Sequence, residues 1–124
     1  NILFVGVRNS NSLEISFLKS KGIKVINLNQ ILLDIEDICD TVTEFANGKE
    51  LYVSIDIDVV DPAFAPATGC KEPGGLTSRE ILYFVQRLNK VKTLRAVDIV
   101  EINPSLDKEG MTVKLGAKIL SELL

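Results

Sequence analysis

The chain has 124 residues, 46% of them apolar and 25% charged, and its 14 Lys and Arg stand against 17 Asp and Glu for a net charge of −3. One domain with a sizeable core suits this length, and the supply of Ile, Leu and Val excludes intrinsic disorder. No apolar run reaches the ~18–20 residues of a membrane span, and no basic stripe of the kind nucleic-acid binding needs is present. Two cysteines, Cys39 and Cys70, are too few for a disulfide framework. A reducing, cytoplasmic setting is expected, with neither nucleic acid nor membrane among the partners. Histidine is absent, so Ser-His-Asp and Cys-His chemistry and imidazole-based zinc sites have no residue to build on within the chain. Asn1 leads at once into an apolar run, which predicts a piece of a longer protein.

In chain order, Ile2 to Val7 is apolar without period-two alternation, which predicts a strand buried on both faces. Asn11-Ser12-Leu13-Glu14 opens a helix with a capping box, and Lys21-Gly22 closes it. Ile23 to Ile26 reads as a short strand. Asp34 to Ala46 carries an apolar stripe of Ile35, Ile38, Val42 and Phe45 or Ala46, ended by Asn47-Gly48. Leu51 to Ile57 is the strongest strand signal, and a loop rich in Pro and Gly follows from Asp58 to Leu76. Thr77-Ser78-Arg79-Glu80 is a second capping box, whose helix buries Ile81, Leu82, Val85 and Leu88. Leu94 to Val100 is a further strand, and Met111 to Leu124 a closing helix. This alternation predicts a single α/β domain over residues 1–124, with a mainly parallel sheet covered on both faces. Ligand sites in such sheets lie beyond the carboxyl ends of the strands. The strands at 51–57 and 94–100 both run out in acidic residues.

The first of these ends reads Ser54-Ile55-Asp56-Ile57-Asp58-Val59-Val60-Asp61-Pro62. Residues i and i+2 of a strand point to one side, so Asp56 and Asp58 converge. Two adjacent carboxylates repel, and with no Lys or Arg beside them in sequence a divalent cation is the economical compensation. All-oxygen ligation favours Mg, Ca or Mn over zinc. The alternative is a polar strand end in which one aspartate caps a turn, and Asp61-Pro62 by itself reads as a turn feature. The aperiodic loop is long for a compact domain, which marks it as functional; its prolines stiffen it and its glycines admit a ligand to the backbone. At the second strand end, Glu101 in Asp98-Ile99-Val100-Glu101-Ile102-Asn103-Pro104 could hold a guanidinium in a bidentate contact or help bind a cation; the alternative is a solvated strand-end glutamate.

Taken together, Ser54 to Pro62, Pro66-Ala67-Thr68-Gly69, Gly74-Gly75-Leu76-Thr77 and Glu101-Ile102-Asn103-Pro104 resemble the ureohydrolase family of arginases, agmatinases and their relatives. Val5-Gly6-Val7-Arg8 is similar to the family's Gly-Ile-Arg segment. Pro62 to Pro66 and Glu72-Pro73-Gly74-Gly75 look more like agmatinases than arginases. The resemblance implies a three-layer α/β/α fold, incomplete here because the chain would be the C-terminal part of a longer ureohydrolase. It implies hydrolysis of a small guanidino substrate, agmatine or arginine, to urea and an amine at a centre of two manganese ions, and a homo-oligomer. It makes Asp56 and Asp58 metal ligands and Glu101 the residue that engages the guanidinium, with Cys70 also at the substrate.

The sequence departs from the family at two points. The remaining metal ligands and the proton-shuttling histidine are missing, so the isolated chain is expected to be inactive. Cys70 stands where the family has threonine, and a thiol is the poorer hydrogen-bond donor. Two other readings remain at this level: a D-x-D glycosyltransferase, which would explain the aspartates but not the loop, and a non-catalytic ureohydrolase-related assembly module.

Overall fold

Four of the five helices start at a side chain that caps their free backbone N–H groups: Asn11, Asn27, Asp34 and Thr77. The computed structural model describes residues 1–124. Strand β1 (Leu3–Val7) leads to α1 (Ser12–Ser20) and β2 (Lys24–Asn27). The Asn11 carboxamide accepts from the Leu13 and Glu14 backbone N–H groups at 2.9 Å, and Glu14 accepts from Asn11 N–H at 2.9 Å, so the capping box is complete. Helix α2 (Leu28–Leu33) follows β2 directly and α3 (Ile35–Ala46) follows α2. Then come β3 (Leu51–Asp56), α4 (Ser78–Leu88), β4 (Leu94–Val100) and α5 (Met111–Leu123), with 3-10 turns at Ile57–Val59 and Pro104–Leu106. Helix α2 was not expected, although Asn27 and Gln30 form a reciprocal cap at its start.

All strand pairing is parallel. Seventeen buried residues, from Ile26 to Ile119, join in one core. Ile57, Val85 and Ile119 are fully buried, and burying such a side chain contributes roughly 1.5–3 kcal/mol. Helix α4 lies between α3 and α5 and carries the parallel crossover from β3 to β4.

The strands form two ribbons, β1–β2 and β3–β4, rather than one sheet. A groove of about 810 Å³ separates the facing edges of β1 and β3. Nor is the first strand buried on both faces as expected: Phe4 is 44% exposed. In the second ribbon Val53, Ile55, Val97 and Ile99 pack against the core, while Tyr52, Ser54, Asp56, Ala96, Asp98 and Val100 are exposed. The reason is the same in both places: helices of this chain cover only one face. The carboxyl ends of β1, β3 and β4 nevertheless meet, and that meeting point holds the acidic residues.

Candidate functional site

Asp56 is the last residue of β3, and Asp58 lies two residues on, in the 3-10 turn Ile57–Val59. The pair is therefore held by a turn and not by strand alternation. Asp56 Oδ1 accepts from the Asp58 backbone N–H at 3.0 Å, so Asp56 caps the turn while its other oxygen stays free. Ile57, between the two, is wholly buried and anchors the turn in the core.

Asp61 organises the loop that follows. Its Oδ1 accepts from Ala63 N–H at 2.9 Å, and its Oδ2 from Gly74 N–H at 2.7 Å and Gly75 N–H at 3.1 Å. These bonds hold the Asp61 carboxyl below its ordinary value. The turn role read from Asp61-Pro62 thus extends across thirteen residues. A side chain at Gly75 would collide with the Val60–Asp61 backbone, so only glycine permits this closure. Farther along, Ala67 N–H donates to the buried Thr112 hydroxyl at 2.9 Å, and Asn103 N–H donates to the Ala67 carbonyl at 2.9 Å. The middle of the loop is thereby fastened to α5 and to the exit of β4.

Glu101 leaves β4 with φ 65°, alone among non-glycine residues in the left-handed region. Such a conformation costs on the order of 1–3 kcal/mol and concentrates at functional sites. It turns the carboxylate toward the loop: a Cβ placed on Gly69 would lie 3.8 Å from Glu101 Oε2. Cys70, next in the chain, is exposed. From the opposite side Arg8, just past β1, donates to the Asp58 carbonyl and, at 2.9 Å, to the Glu72 carbonyl.

Charge confirms how closely these groups crowd. Burial pushes the Asp58 carboxyl above its ordinary range, the neighbouring Asp56 adds to that push, the Arg8 guanidinium opposes it, and Glu101 raises it further. The donors are all oxygen, which suits manganese or magnesium better than zinc. No group of three or more His, Cys, Asp or Glu side chains converges to hold a metal unaided. The carboxylates fit manganese in kind and supply only part of the about six donors it takes. Sequence reasoning assigned no role to Arg8; a glycine inside a strand followed by an arginine at its carboxyl end was the available signal.

The whole chain, residues 1–124, matches the Arginase family, and it belongs to that family. It is 39% identical over 119 residues to the hepatic arginase of Aquarana catesbeiana, covering 93% of this chain and 37% of that protein. It is 32% identical over 125 residues to the agmatinase of Bacillus subtilis strain 168, covering 100% of this chain and 41% of that protein. The solved structure of proclavaminate amidino hydrolase from Streptomyces clavuligerus superposes with a TM-score of 0.87 at 34% identity, covering 98% of this chain and 40% of that one. The fold is therefore arginase-like, and the chain spans about two-fifths of the length of these relatives.

Proposed function

We propose that the protein to which this chain belongs hydrolyses a guanidino compound to urea and an amine at a manganese centre. The observation that carries the reading is the placement of Asp56, Asp58 and Glu101 at the neighbouring carboxyl ends of β3 and β4, with Glu101 turned toward the loop by its left-handed backbone. Asp56 and Asp58 would hold metal, and Glu101 would accept from the substrate guanidinium in a charge-assisted contact. Bound manganese would activate water for attack on the guanidinium carbon and stabilise the charge that develops. The D-x-D nucleotide-sugar reading has no use for the loop closure by Asp61 or for the strained Glu101.

Agmatine is the substrate we favour over arginine, on the strength of the Pro62–Pro66 and Glu72–Gly75 segments; the relatives carry both names. The remaining ligands would come from parts of the protein outside these 124 residues, so the isolated chain would release no urea. The open ribbon edges of β1 and β3 favour association between copies. The test is urea release by the complete protein from agmatine, arginine and other guanidino compounds, after chelation and again after manganese is restored. Manganese-dependent release from agmatine supports the reading, release from arginine alone moves the substrate, and release from none of the compounds overturns it. Urea formed by the purified 124-residue chain would show that the additional ligands are not needed.

A further inference from the structure

Strand β1 does not end in an ordinary way. Its register against β2 slips between Val5 and Val7, and the slip falls on Gly6, at φ +86°. A Cβ there would stand 2.5 Å from Val59 Cγ2, so glycine is what lets β1 press against the turn that carries Asp58. Two residues later Arg8 reaches under that turn. Its Nη2 donates to the carbonyl of Asp58, 50 residues away in sequence, and to that of Glu72, 64 residues away, at 2.9 Å. Its Nε is buried without a hydrogen-bond partner, so the grip on the two carbonyls is through Nη2.

We propose that Gly6 and Arg8 form a latch that fixes the Asp58 carboxylate against Asp56 and holds the Glu72–Gly75 arm of the loop over the same mouth. The logic is mechanical. The Asp58 amide is held by Asp56 and the Asp58 carbonyl by Arg8, so both peptide groups flanking the Asp58 side chain are tied and its direction is set. The Glu72 carbonyl shares the same guanidinium nitrogen, and Asp61 holds the next two glycines. One rigid fork thereby joins the acidic turn to the loop. A lysine ammonium is a compact point charge on a flexible stem and loses this fixed geometry. Arg8 is assigned as a positioning residue, because what it holds is the backbone of Asp58 and Glu72. The proposal rests on the reading of Asp56 and Asp58 as metal ligands.

The test compares wild type, Arg8→Lys and Arg8→Met in the complete protein. Partners that orient metal ligands are worth about 10–100-fold in metal affinity or activity. Arg8→Met should weaken manganese binding by that factor and broaden the manganese paramagnetic resonance signal. It should lower kcat while KM for the guanidino substrate stays within about twofold, and Arg8→Lys should fall between the two. Hydrogen exchange of the Gly74 and Gly75 amides supplies a readout that needs neither metal nor activity: it should quicken at least about tenfold in Arg8→Met, since those amides become locally free to open. A wild-type protein that binds no manganese would sink the metal reading and leave the latch to be judged by exchange alone. Unchanged exchange, or manganese affinity and kcat unchanged while only the melting temperature falls, would overturn the latch.

Discussion

At its carboxyl end the β3–β4 ribbon runs into Asp56, Asp58 and Glu101, whereas the β1–β2 ribbon runs into Arg8 and the helix cap Asn27. The β3–β4 ribbon is paired through six residue pairs with a slip between Leu51 and Tyr52, and it sends Ile55 into the core. The β1–β2 ribbon is paired through four with a slip at Gly6, and it sends Ile26 into the core. The ribbon with the longer ladder carries the carboxylates that must not move, and the shorter one contributes a guanidinium brace. Three carboxylates at two neighbouring strand ends are costly without compensation. Placing one guanidinium beneath them lowers that cost without consuming a carboxylate oxygen, because Arg8 bonds to carbonyls.

The contrast between the ribbons breaks most completely if the carboxylates themselves are removed. Asp58→Ala in the complete protein should lower urea release by more than about a hundredfold and reduce bound manganese, since the site loses a ligand and not merely its alignment. Metal analysis beside kinetics decides the case: full manganese content in an inactive Asp58→Ala protein would remove Asp58 from the metal. Glu101→Gln should act differently. A charge-assisted hydrogen bond of about 1.5–3 kcal/mol is weakened, which corresponds to roughly ten- to over a hundredfold in kcat/KM. Manganese should stay bound. Loss of manganese in Glu101→Gln would place that carboxylate on the metal instead.

A third substitution sharpens the role of the loop. The Asp61 carboxyl lies below its ordinary value of 3.8 because Ala63, Gly74 and Gly75 donate to it. A carboxyl lowered in the folded state stabilises that state at pH above its unfolded value, and the benefit is lost as pH falls through the lowered one. Asp61→Asn should therefore melt below wild type at pH 7, and the two melting temperatures should converge as pH drops beneath 3.8. A gap that holds constant from pH 7 to pH 3 would mean that shape, and not charge, fastens the loop.

Most of the chain order was legible in the residues. The caps at Asn11 and Thr77 each announced a helix, because local hydrogen bonds fix such starts whatever surrounds them, whereas the 35–46 helix was legible from its apolar stripe and its cap Asp34 was not. The division into two ribbons, where a single sheet was expected, was not legible, since strand patterning marks which face is buried and not which edges pair. Within the site, strand alternation correctly predicted that Asp56 and Asp58 would be neighbours but for the wrong local reason, the 3-10 turn being shorter than any periodicity can reveal. The strain at Glu101 is a backbone property that no residue preference announces. The segment Val5 to Arg8 was noticed, but the role of Arg8 escaped because its acceptors are carbonyls, which every residue carries.

The smallest effect expected is at position 70. The two cysteines differ sharply. Cys39 is buried in α3, where burial pushes its thiol up to about 11 against the opposing pull of Arg87, while Cys70 is exposed beside Gly69. An alkylating reagent at pH 8 should modify Cys70 first and leave Cys39 untouched until the protein unfolds, since the thiolate is the reactive form. Because Cys70 lies next to the glycine that faces Glu101, labelling it should also obstruct the mouth, and substrate should slow the labelling. Cys70→Thr replaces a weak donor by a hydroxyl of similar size and should leave kcat/KM unchanged or improve it by a few-fold at most. The substitution should also remove the labelling without disturbing manganese. If Cys70→Thr abolished urea release while the Glu101→Gln protein kept wild-type kinetics, the guanidinium would be held by the loop and not by the end of β4. The division of labour between the two strand ends would then have to be redrawn.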